Sequence, residues 1–63
     1  MRLTECADAL KAHGYDAAVI VDVINQGPNE AAKYTRAFLT YPPEQVADIN
    51  RQAGIAHSRR VTT

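Results

Sequence analysis

Apolar and polar positions along this 63-residue chain follow helical spacing over most of its length. Leu3, Cys6, Ala7 and Leu10 fall at i, i+3, i+4 and i+7, the buried stripe of an amphipathic helix. Thr4 is placed to cap its start, Glu5 and Asp8 suit its positive end, and Gly14 can close it, giving a helix over about 4–13. The next segment, about 16–26, opens on Asp16 as a cap and carries a helical stripe of Ala17, Ile20, Val21 and Ile24. The run from Val19 to Ile24 is also rich in β-branched residues, which favour strands. Only residues 37–41 and 60–63 could pair with such a strand, both weakly, so the helix is preferred and the strand stays as its alternative. As a helix it is apolar around most of its circumference, and it is expected to be the central, most buried element.

Gly27-Pro28-Asn29 interrupts the pattern, with Asn29 as the expected cap of a third helix over about 29–40. Ala31, Tyr34, Thr35 and Phe38 make its inward stripe. Tyr41-Pro42-Pro43 ends it, because a residue before proline avoids the helical region. Pro43 then opens a fourth helix over about 43–53, with Val46, Ile49 and Ala53 inward and Gly54 as its stop. Residues 55–63 are expected to form a frayed tail or a short fifth turn. The fold class that follows is all-α, a single domain built as a small bundle of four short helices with a basic C-terminal tail.

Composition sharpens this picture. Apolar residues make up 46% of the chain, but 11 of those 29 are alanine, and Leu, Ile, Val and Phe together number only 13. A core so thin leaves a small domain short of burial, and the common remedies are a partner or self-association. Charge is balanced overall but uneven. Residues 1–50 hold seven acids against four bases, whereas residues 51–63 hold Arg51, Arg59 and Arg60 and no acid. An acidic body does not suit a protein coated for nucleic acid, although the tail could reach phosphate. The first residues carry acids where a signal peptide needs an apolar core, and the longest apolar run, Ala17 to Val21, is far too short to cross a bilayer. A soluble cytoplasmic protein without membrane attachment is expected, and lone Cys6 suits a reducing compartment.

The residues that could carry catalysis are scattered. Cys6 sits on the apolar stripe of the first helix, where a thiol packs as a small hydrophobe. His13 stands at a helix end and His57 in the tail. No pair of Cys or His has metal-ligand spacing. Gly14, Gly27 and Gly54 are spaced as helix stops rather than as a phosphate cradle. Asp16 reads as a cap and Asp22 as a solvent-side residue. An enzyme, a bound cofactor and a metal site are therefore not expected.

Two stretches resemble known families. His13-Gly14-Tyr15, an apolar helix, Gly27-Pro28-Asn29-Glu30 and a helix ending at Phe38-Leu39 resemble the ubiquitin-associated domain over residues 4–39. That likeness implies a three-helix topology and a protein-binding apolar patch, with His13 and Tyr15 standing where the family carries Met and Phe. Residues 46–60 resemble the first helix and turn of a helix-turn-helix DNA reader, with Ala53-Gly54-Ile55 at the turn. In that likeness Arg51, His57, Ser58, Arg59 and Arg60 would face the nucleic acid, on a recognition helix of only about eight residues.

The remaining candidate is a protein-binding surface. Tyrosine is favoured at interfaces because it buries apolar area while keeping a polar tip. One reading puts Tyr34 in the core with Tyr15 and Tyr41 covering loop ends; the functional one makes Tyr15, Tyr41 and neighbouring Leu39 an exposed patch for a protein partner or a second copy. The leading expectation is a small non-catalytic interaction protein that inhibits or bridges a protein partner as a homodimer. The alternative is a small DNA-binding transcriptional regulator using residues 46–60.

Overall fold

The structure, a computed structural model, describes the backbone of residues 2–61 and the side chains of residues 2–58. It is all-α: the helices are α1 (Leu3–Ala12), α2 (Ala17–Ile24), α3 (Pro28–Phe38) and α4 (Pro43–Val61). Cys6 and Leu10 of the α1 stripe are fully buried, with Leu3 packed at the edge. Arg2 rather than Thr4 occupies the cap position of α1, and its N–H donates to the Glu5 carboxylate at 3.4 Å. Gly14 closes the helix in the left-handed region, at φ 105°, where a side chain would be strained. The Tyr15 N–H then reaches back to the Leu10 carbonyl at 3.0 Å.

The β-branched segment is helical, because burial overrides local propensity. α2 packs against α1, α3 and α4, and no strand occurs among the described residues. Its buried face is rotated from the expected stripe. Val19 and Val23 lie deepest, with Ile20 and Ile24 at the margin, whereas Val21 is 47% exposed and Ala17 is also exposed. On a helix apolar nearly all round, periodicity cannot choose the inward side, so the positions of the three neighbours choose it.

At the start of α3, Gly27 takes the cap position at φ 95° and Pro28 opens the helix, which leaves Asn29 inside it. Pro28 fixes a φ already suited to a first turn. Ala31, Ala32 and Thr35 are the buried positions, so Tyr34, expected in the core, is instead 43% exposed. Small side chains let α3 lie close against α1, and a tyrosine would not fit there.

The largest departure concerns α4. It does not stop at Gly54 but runs unbroken to Val61, so the described part of the expected tail, residues 55–61, continues the helix; residues 62–63 lie outside the described residues. Gly54 lacks the positive φ of a terminating glycine. A glycine in a helix interior costs only about 1 kcal/mol relative to alanine, and no proline follows to enforce a stop. Val46 lies beside Gly14, Asn50 bonds to residues 14 and 16, and His57 reaches Asp22. These contacts advance together along both helices, so α4 runs parallel to α2.

Candidate protein-binding site

Two features stand out: an aromatic clasp at one end of the bundle, and a groove between α3 and α4. The clasp is built around Phe38. Its ring lies 5.2 Å from Tyr15 and 5.6 Å from Tyr41, and His13 stacks on Tyr15 at 5.8 Å. The Tyr15 hydroxyl donates to the Phe38 carbonyl at 2.6 Å, where α3 ends, and the Tyr41 N–H donates to the same carbonyl at 3.3 Å. The His13 Nε2–H donates to the Tyr41 carbonyl at 3.0 Å. The Asn50 amide bridges the α1–α2 turn, accepting from the Asp16 N–H at 2.8 Å and donating to the Gly14 carbonyl at 3.0 Å. Asp16 itself makes no side-chain cap bond.

This arrangement corrects the expected patch. Tyr15 and Tyr41 both pack on Phe38, but Tyr15 is only 3% exposed, and Tyr41 and Leu39, the cap residue of α3, are half-buried. Burial, followed by the effect of neighbouring Tyr41, holds the Tyr15 phenol above its usual pKa. A core with so few large aliphatic side chains recruits its aromatics as filling. Tyr15 and Tyr41 close this end of the bundle around Phe38 and do not form an open surface.

The residues of the helix-turn-helix likeness are also placed. The turn expected at Ala53-Gly54-Ile55 is continuous helix, so no second helix is set at an angle to the first. Arg51 pairs with Asp48 at 2.7 Å on the surface. His57 Nε2 donates to Asp22 Oδ1 at 3.1 Å, tying α4 to α2. Ser58 is exposed. The side chains of Arg59 and Arg60 lie outside the described residues. Cys6, buried in the core, is apart from both histidines, and no cluster of three metal-ligating side chains occurs among the described residues.

The groove arises because α3 and α4 both pack on α2 but hardly on each other. Its floor is Val19, Asp22 and Val23 of α2, with Gln26 from the turn that follows. One wall is Tyr34 and Phe38 of α3, and the other is Ile49 and Ala53 of α4. The enclosed volume is about 200 Å³. Six of the eight lining side chains are apolar or aromatic, and Asp22 and Gln26 make the polar part. Each wall is an i, i+4 pair, a signal present in the sequence but silent about which pairs face one another.

No family model, curated protein or solved structure matches this chain. No helix among the described residues is long and apolar enough to cross a membrane.

Proposed function

We propose that this is a small, non-catalytic interaction protein that binds a protein partner, inhibiting or bridging it, and that it acts as a homodimer. The observation that supports the reading is the groove between α3 and α4. It is an apolar-lined concavity on a chain with few large apolar side chains, and its rim holds an exposed tyrosine. Concave apolar sites with a few polar groups are where proteins take up partner anchors. Val21 and Ile55 add exposed apolar surface outside the groove, which a second copy would cover. A free, buried thiol suits the reducing cytoplasm in which we place the protein.

The continuous α4 withdraws the turn on which the DNA-reader likeness depended, so the protein-binding reading is preferred. Its test is a groove-filling substitution, Ala53→Arg, compared with the wild type by mass-resolved size exclusion and by affinity capture from the native host. The wild type is expected to elute above its monomer mass of 6.9 kDa and to retain a partner that the variant loses. A monomeric wild type whose captured proteins are unchanged by Ala53→Arg would refute the proposal.

A further inference from the structure

The groove has a chemical polarity that says what kind of partner it fits. A cavity of about 150 Å³ lined by aliphatic and aromatic side chains holds one benzene. The groove, at about 200 Å³, therefore has room for one aromatic or branched apolar side chain and not for a helix. Val19 and Val23 at its floor are nearly closed off, which keeps it narrow.

Its polar part presents acceptors. Asp22 is the one charged side chain lining it. Among the described residues Oδ1 of that carboxylate accepts from the His57 Nε2–H, and a carboxylate can accept several hydrogen bonds in all. The Gln26 Nε2–H donates to the Asp22 carbonyl at 3.4 Å, so its amide oxygen is the part of that side chain able to accept. The Tyr34 and Phe38 rings on the opposite wall offer faces that attract a cation.

The geometry points to a protein partner that inserts one large aromatic or branched apolar side chain into the groove and carries a lysine or arginine beside it, paired with Asp22. This rests on the protein-binding reading of the groove and adds the chemistry of the anchor. An acidic anchor would set a second carboxylate against Asp22, and a neutral one could donate a hydrogen bond but would forgo the ion pair.

The test uses three probes of one shape on the whole chain: tryptamine, its hydroxyl counterpart tryptophol, and indole-3-propionate. Amide shifts are followed by two-dimensional NMR. All three are expected to shift amides at Val23, Gln26 and Ala53 in the millimolar range of a fragment in an open groove. Tryptamine should bind about two- to fivefold more tightly than tryptophol, the range for an exposed ion pair, with indole-3-propionate weakest. Asp22→Asn should abolish that preference and leave tryptophol unchanged. If Asp22→Asn fails to fold, Gln26→Lys in the exposed turn after α2 should reverse the order in favour of the carboxylate.

Equal binding of the three probes would overturn the cation pairing while leaving the groove as a binding site. No shift at the groove with any probe would overturn the groove itself and the proposed function with it. Micromolar binding of tryptamine would make this a small-molecule site and refute the protein anchor. Concentration-dependent shifts at the same amides without any probe would show a second copy in the groove and likewise refute a basic partner.

Discussion

Thr35 offers a direct way to test how the thin core is held together. It is 0% exposed, on the face of α3 that meets α1, and its hydroxyl oxygen has no hydrogen-bond partner. A buried hydroxyl without a partner costs about 1–3 kcal/mol in lost hydration. Thr35→Val keeps the branched shape and replaces that hydroxyl with a methyl worth about 0.8 kcal/mol on burial. Both effects have the same sign, so a gain of about 2–4 kcal/mol is expected. For a domain of this size each kcal/mol moves Tm by about 4–8 °C. Urea unfolding should show a raised midpoint with an unchanged slope, since the surface exposed on unfolding is nearly the same. Thr35→Ser, which keeps the hydroxyl and removes the methyl, should lower stability by about 1 kcal/mol. A Thr35→Val protein that is neutral or less stable would refute the reasoning, because the hydroxyl would then have a partner such as the Ala31 carbonyl one turn earlier.

Other substitutions test the clasp and the long helix. Tyr15→Phe removes the hydroxyl that donates to the Phe38 carbonyl, and should cost about 0.5–1.5 kcal/mol by thermal or urea unfolding. The raised Tyr15 pKa also predicts an alkaline response. Below about pH 10 the phenol is neutral in both states. At higher pH the unfolded chain ionises first, so stability falls as pH rises through the folded value, and the fall should be smaller in Tyr15→Phe. Gly54→Ala should stabilise the protein by about 0.5–1 kcal/mol, because Gly54 is inside α4 with open space at its Cβ position. A loss of stability there would show that the chain needs a glycine-only conformation at Gly54. Asn50→Ala removes both bonds to the α1–α2 turn and should cost about 1–2 kcal/mol, with faster amide exchange at Asp16.

The sequence by itself determined the helical content, the breaks at Gly14, Gly27 and Pro42-Pro43, and the burial of Cys6 and Leu10. These follow from short-range physics: a 3.6-residue period, glycine at positive φ, and proline's fixed φ. Tertiary structure decided the rest. It chose which side of α2 faces inward, because a helix apolar all round holds no preference of its own. It carried α4 through Gly54, since contacts from Asn50 and His57 to the α1–α2 turn and α2 offset a penalty that a glycine imposes only weakly. It drew Tyr15 inward to fill a core poor in large aliphatic side chains, and left Tyr34 outside because α3 meets α1 through Ala31, Ala32 and Thr35. The groove belongs wholly to this second class. Its residues come from three helices and the turn after α2, and only the failure of α3 and α4 to close on each other makes them a site.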